Sequence, residues 1–402
     1  MKKILLGVLV TALGLLPEAK ADWLNFRGPN GSGFAAGETG VPTELSPETL
    51  AWSVKLPGRG LGSPIAVGDK VIVSAASGPD QKTLHVICFS AVDGSKTWER
   101  FFRATGRTMC HQKTCVAAPT PASDGKNVYV IYSSNDLVAL DLDGNPIWMR
   151  GLTLDYPNAS NSLGMASSPI VVDDTLIAQV ENDSESLAVG IDTMTGQNKW
   201  KLDRPKGSNW TSPTVVKAGD QTVVNLQSNK GIHGVLPATG SEIYTFSGGA
   251  SGTPSSVVAD GKIYVPSNGL TALEPPEKGG DMKQLWNETA QRPGTSSPLA
   301  VGDKIFTINN AGVLTSADRA TGERGWRIRL KGPFSGSPVA ADNGHLYIFN
   351  EAGIGQVVDL AGEEGKVVSE MDLKETILAT PSISGGAVYI RSDGTLWKFG
   401  GK

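Results

Sequence analysis

Apolar runs and polar turns alternate along this chain in an order that repeats. A short segment built on Ser-Pro, Thr-Pro or Ala-Pro comes first. A polar turn such as Gly68-Asp69-Lys70 or Gly302-Asp303-Lys304 follows, then an apolar run such as Val71-Ile72-Val73 or Ile305-Phe306-Thr307-Ile308. A second run comes next, as in Leu137-Val138-Ala139-Leu140-Asp141, and a turn such as Thr195-Gly196 or Thr321-Gly322 leads to a last run carrying an aromatic. The order predicts four strands joined by three hairpin turns in every unit.

Eight units are aligned on Pro64, Pro119, Pro169, Pro213, Pro254, Pro298, Pro338 and Pro381, at intervals of 40 to 55 residues. Such a period holds one small four-stranded sheet and is too short for an αβ unit with its crossovers. The prediction is an all-β, eight-bladed β-propeller of four-stranded antiparallel blades. The prolines read as the entry of each innermost strand, where a missing N–H is tolerated. The eighth unit stops after three strands, whereas Leu50 to Leu56 reads as a fourth strand lying ahead of the first unit. An N-terminal strand completing the last blade would close the ring and leave no exposed edge. Aromatic residues recur at one place per unit: Trp52, Trp98, Trp148, Trp200, Tyr244, Trp286 and Trp326, with Val368 standing in the seventh. They read as wedges filling the space between blades.

Residues 50–402 are therefore expected to form a single propeller, preceded by an extended segment, 22–49, packed across the rim or side of the ring. Residues 1–21 have the layout of a secretion signal: Lys2 and Lys3, an apolar core from Ile4 to Leu16, and Ala19-Lys20-Ala21 before the cleavage point. A periplasmic or secreted protein without a transmembrane span is expected. The formal charge of −4 becomes −6 once three lysines and one glutamate leave with that segment. Such an acidic chain is not expected to bind nucleic acid.

Cys110 and Cys115 bracket His111-Gln112-Lys113-Thr114, and in an oxidising compartment a small disulfide loop between them is expected. A reduced pair, or a metal held by the two thiolates and His111, stays open as an alternative. Cys88 reads as a buried strand residue. Most connectors from aromatic to proline are short, but 99–118 and 149–168 are long and adjacent, and should emerge on one face. They bring Arg103, Arg107, His111 and Lys113 beside Arg150, Asp155, Tyr156, Asn158 and Asn161, a candidate binding face on a rigid scaffold. The alternative is that these loops cover the channel mouth.

The repeat Ser-Pro-Ile/Val, Gly-Asp-Lys, Ala-Leu-Asp, Thr-Gly-x-x-x-Trp resembles the PQQ-like, or quinoprotein-like, propeller repeat of bacterial exported proteins. The likeness covers roughly Leu50 to Lys402. The opening Asp22-Trp23-Leu24-Asn25-Phe26-Arg27-Gly28-Pro29 resembles secreted planctomycete-type members, many of them described as BamB-like. The resemblance is compatible with the function that the connector face suggests, a noncatalytic, monomeric envelope scaffold that recognises a protein or polysaccharide, with no cofactor. It also implies a rival reading, a PQQ- and metal-dependent oxidoreductase acting on an alcohol or sugar. That chemistry needs an ion held by Glu and Asn, a catalytic Asp and a tryptophan beneath the quinone. Asp155, Asn158, Asn161, Glu181, Asn182 and Asp183 could line part of such a site, but no spacing among them marks a metal cage. The four histidines are scattered and give no hydrolase motif.

Overall fold

Residues 22–159 and 163–401 are described in a computed structural model of the chain. The expected signal segment and Asn161 lie outside the described residues. Eight antiparallel sheets stand around a central channel, with blades 1 to 7 at residues 65–103, 122–151, 170–203, 214–246, 257–288, 299–329 and 339–372. Blade 8 joins three strands within 382–400 to the N-terminal strand Leu50–Lys55, which runs antiparallel to Thr395–Gly400 with Val54 opposite Leu396. The closure expected from the truncated eighth unit is the one observed.

Burial explains the two kinds of apolar run. The second and third strands of a blade lie between neighbouring blades, so both faces are covered and runs such as Val71-Ile72-Val73 are wholly buried. Outer strands alternate: in Asn198–Asp203 only Trp200 is buried, and its neighbours are exposed or half-buried. Every outer strand carries a register irregularity just before its aromatic position. Gly190 pairs with Trp200 while Ile191 pairs with Asn198, and the same shift recurs in all eight blades. The extra residue bends the strand, and the aromatic side chain packs on the next blade.

There the tryptophans do what their period suggested. The indole N–H donates to a carbonyl in the last turn of the following blade: Trp52 to Ala91 (3.3 Å), Trp98 to Leu142 (2.9 Å), Trp148 to Thr193 (2.9 Å), Trp200 to Pro237 (2.7 Å) and Trp286 to Arg319 (3.1 Å). The ring lies flat on a glycine of that turn. At Gly196, with φ of 71°, a Cβ would sit 2.7 Å from Trp148. No other residue offers both the left-handed backbone and the room. Trp326 packs on Gly365 in the same way.

One assignment needs correction. In blade 7 the aromatic position is Ser369, opposite Val357, while Val368 is the extra residue of the bulge and is exposed.

Residues 22–38 do not skirt the rim; they run across the channel on the face of the first hairpin turns. Trp23 exchanges backbone hydrogen bonds with Ala66 of blade 1 (2.9 and 3.0 Å), and the Leu24 carbonyl accepts from Ser123 of blade 2 (2.8 Å). Gly31 lies against Thr214 of blade 4, and Arg27 donates to the Pro298 carbonyl of blade 6. Phe34–Ala35 pairs in parallel with blade 7, and the Glu38 carboxylate accepts from Gly385 and Gly386 of blade 8 (2.8 and 2.7 Å). The segment is a plug, held by most of the blades it closes. Burial lowers the pKa of the Arg27 guanidinium to about 9.

Candidate functional site

Above the plug, the entry residues of the eight innermost strands line the channel in two layers. Side chains two residues apart share one face of an extended chain, so each blade gives one residue to each layer. The lower layer is a ring of hydroxyls. The N–H of Ser63 donates to Thr120 Oγ1, Thr120 to Ser168 Oγ, Ser168 to Ser212 Oγ and Ser212 to Ser255 Oγ, each at 2.9 Å. Ser255 then donates to Ser297 Oγ at 3.0 Å, Ser297 to Ser337 Oγ at 2.9 Å and Ser337 to Thr380 Oγ1 at 2.9 Å. In every link the hydroxyl accepts, so its own proton is not used in the ring.

This ring corrects the alignment of two units. The residue after each ring member is Pro64, Pro169, Pro213, Pro298, Pro338 and Pro381 in six blades, but Pro121 in blade 2 and Ser256 in blade 5. Pro119 and Pro254 stand two residues too early. Each is a nearby proline in a segment that repeats the local pattern.

The upper layer is uneven. Blades 8, 1, 2, 3 and 4 contribute Leu378, Leu61, Ala118, Ala166 and Trp210, whereas blades 5, 6 and 7 contribute Thr253, Thr295 and Ser335. The Trp210 indole is fixed by a hydrogen bond to the Gly164 carbonyl (2.9 Å). With Phe26 from the plug, these layers enclose a chamber of about 430 Å³, within the usual range for small-molecule sites.

The two long connectors meet at the mouth. The turn Ser133 to Asp136 of blade 2 anchors both: Asp136 accepts from Thr105 N (3.0 Å) and Thr105 Oγ1 (2.5 Å), and Ser133 Oγ accepts from Met165 N (2.6 Å). His111 N donates to the Leu163 carbonyl (2.9 Å). From there residues 111–114 reach over the chamber, where His111, Lys113, Thr114 and Leu163 form its cover. Arg59 straps the cover down, donating to Thr114 O (2.9 Å), Gln112 O (2.8 Å) and Asp393 Oδ2 (3.0 Å), and Lys113 pairs with Glu351 of blade 7 (2.9 Å).

The residues picked from the connectors thus separate into three groups. His111 and Lys113 cover the chamber. Arg150, Asp155, Tyr156 and Asn158 are braces to blade 3: Arg150 binds Asp155 (2.6 Å) and Asn198 (2.7 Å), Tyr156 accepts from Asn198 (2.6 Å), and the Asn158 carbonyl accepts from Ser184 (2.5 Å). Arg103 and Arg107 are exposed; Arg107 contacts the Met109 sulfur, and neither has an ion-pair partner among the described residues. Beside them Met109, Leu154 and Leu163 expose apolar side chains on the same pair of connectors. The residues that sequence reasoning missed are the anchors Arg59, Ser133, Asp136 and Glu351. Only the polar Ser133-Ser134-Asn135-Asp136 turn between two apolar runs offered a signal.

The expected disulfide is not formed: Cys88, Cys110 and Cys115 are free thiols. Cys110 turns toward Ser133 Oγ (3.7 Å) and lies close to Gly164, whereas Cys115 is fully buried among the apolar side chains between blades 1 and 2. Burial raises both thiols above the ordinary cysteine range, Cys115 to about 12, which disfavours the nucleophilic thiolate.

The sequence matches the model of the family described as "Outer membrane protein assembly factor BamB" over residues 29–179, 160–312 and 310–402. The chain belongs to that family. A curated relative, outer membrane protein assembly factor BamB of Burkholderia pseudomallei (strain K96243), is 26% identical over 125 residues, covering 30% of this chain and 31% of that protein. Two solved structures share the fold. BamB from Moraxella catarrhalis aligns with a TM-score of 0.66 at 16% identity over 88% of this chain and 97% of that one. Quinohemoprotein alcohol dehydrogenase from Comamonas testosteroni aligns at 0.70 and 13% identity over 94% and 80%.

The dehydrogenase likeness raises the question of whether a quinone and its ion fit here. The lining does not suit them. Trp210 could lie under a flat ring, but among the described residues no carboxylate lines the chamber, and Lys113 is engaged by Glu351. Glu181 is committed to the buried guanidinium of Arg204 (2.7 Å), and Asp155 to Arg150. Among the described residues no group of three or more His, Cys, Asp or Glu side chains is placed to share an ion.

Proposed function

We propose that this protein is a noncatalytic scaffold of the cell envelope that binds a protein partner through the face carrying residues 104–118 and 149–168. The observation that carries this reading is the join between the two connectors at Ser133–Asp136, where Thr105 and Met165 are bonded to the same turn. Arg107 on the first connector and Arg103 at the strand end that feeds it have no ion-pair partner among the described residues, and the same two connectors expose Met109, Leu154 and Leu163. Cationic and apolar side chains side by side suit an acidic, partly apolar protein surface. Membership of the BamB family supports an envelope assembly context, and no helix among the described residues is long and apolar enough to cross a membrane. Export by the segment 1–21 and a monomeric state belong to the same proposal.

A photo-crosslinking residue at Leu154 tests it, with the exposed Val92 in the last hairpin turn of blade 1 as control. A discrete envelope adduct is expected from position 154 only, and Arg103→Glu with Arg107→Glu should abolish it. Equal adducts from both positions, or an adduct insensitive to the charge reversal, would overturn the assignment.

A further inference from the structure

We propose that the chamber beneath the connectors is a binding site for a neutral sugar ring, an inference that goes beyond the partner-binding face. Among the described residues no carboxylate lines the chamber, and the amine at its cover, Lys113, is paired with Glu351. A charged ligand would lose its hydration without gaining a counter-charge.

The polar groups present suit a molecule that both donates and accepts. The lower ring keeps hydroxyl protons to give, because seven of its eight oxygens, all but Ser63 Oγ, are already used as acceptors of a backbone N–H. In the upper layer the situation is reversed: Thr295 donates to the Phe334 carbonyl and Ser335 to Glu351 (2.8 Å), leaving oxygen lone pairs toward the chamber. Two lining hydroxyls, Ser63 Oγ and Thr114 Oγ1, are buried without any hydrogen-bond partner. A buried polar atom in that state points to a missing partner.

The opposite arc is apolar and holds a half-buried indole in fixed orientation, Trp210. A pyranose has the same division, with a C–H face that packs on an aromatic ring and hydroxyls around its edge. The ligand could arrive free or as the end of a glycan chain entering past His111 and Leu163.

The test is calorimetric titration and tryptophan fluorescence with glucose, galactose, N-acetylglucosamine and the disaccharides built from them, with citrate as the charged probe. Saturable binding of at least one sugar is expected, weakened roughly tenfold or more by Trp210→Ala. Ala166→Phe should weaken it equally by filling the chamber, and it keeps the test valid if the tryptophan variant does not fold. Tighter binding of disaccharides than monosaccharides would assign the site to chain ends, and equal binding to free sugars. No saturable sugar binding, binding indifferent to both substitutions, or preference for citrate would overturn the proposal. Arg103→Glu with Arg107→Glu should leave sugar binding unchanged, so failure here and failure of the partner-binding face are separable.

Discussion

Six of the eight blade junctions are held by a tryptophan lying on a turn glycine, and two are not. The difference follows from how the chain is cut. Where a blade has its third hairpin turn, that turn offers a carbonyl and a Cβ-free surface to the indole before it. Blade 8 has no such turn, because its third and fourth strands come from opposite ends of the chain. Blade 7 accordingly carries Ser369 in place of the ring, and Ser369 Oγ accepts the N–H of Leu45 (2.9 Å) from the N-terminal segment. Val41 and Leu45 are buried in the core they share with blades 7 and 8. At the junction of blades 4 and 5 the turn is extended by Pro275 and Pro276. Tyr244 there bonds Asn225 in its own sheet (2.7 Å), and Gly280–Asp281 pairs with Tyr244 and Thr245 across the gap. A repeated packing device is replaced only where the covalent chain removes its receptor or reshapes it.

The largest effect should come from removing the substitute at the cut junction. Deleting residues 22–45 would uncover Trp23, Val41 and Leu45 contacts and leave the Gly385-Gly386 turn without Glu38. The urea midpoint is expected to fall further than for any single substitution, and an unchanged midpoint would refute the plug as a structural element. Next, Trp148→Ala should cost about 4 kcal/mol, and Gly196→Val should cost a similar amount by pushing the same ring out of its seat. If the two effects add in the double variant, they are not one interaction. Tyr244→Phe should cost less, about 2 kcal/mol, since it leaves the ring in place and only frees the buried Asn225 oxygen.

Much of this was legible in the sequence, for reasons these residues make clear. The eight units, the closing strand and the wedge role of the tryptophans all rest on local, repeated chemistry: a turn glycine, a β-branched run, an aromatic. What was misplaced lay where a local decoy competed, as Pro119 does with Pro121, or where the position was defined by pairing, as with Val368 and Ser369. The plug was not legible because residues 22–38 have no period of their own, and their partners, from Ala66 to Gly386, are distant in sequence. The hydroxyl ring was in plain sight in six units as the Ser or Thr before the aligned proline. Only the ring closure gives those hydroxyls a shared function. The connectors stood out by length alone, and the grouping of their residues depends on anchors such as Asp136 and Arg59 that no spacing reveals.

The smallest predicted effect concerns acid, and it again separates the closing blade from the others. Glu375 lies in the connector entering blade 8 and accepts from Lys55 of the N-terminal strand (2.9 Å), Ser392 (2.5 Å) and Thr395 (2.8 Å). Partial burial pushes its carboxyl up, but the bonds from Ser392, Lys55 and Thr395 outweigh this and hold it below the ordinary glutamate range. A carboxyl depressed in the folded state adds stability that is fully present above the unfolded value, about 4.3, and is lost as pH falls through the lower folded value. Lys55 is largely exposed, so the ion pair itself is worth at most about 1 kcal/mol. The turns under Trp148 and Trp286 also hold depressed carboxylates, Asp192 and Asp318, but each bonds only within its own turn, whereas Glu375 ties the N-terminal strand to the last blade. Acidification below pH 4.3 should therefore loosen Leu50–Lys55 more than the paired strands of blade 3. Hydrogen exchange of the Val54 and Leu396 amides measured against those of Val189 and Ala188 would show it. Glu375→Gln should remove the difference in pH dependence, and equal acid sensitivity of both blades in the unaltered protein would refute the role assigned to Glu375.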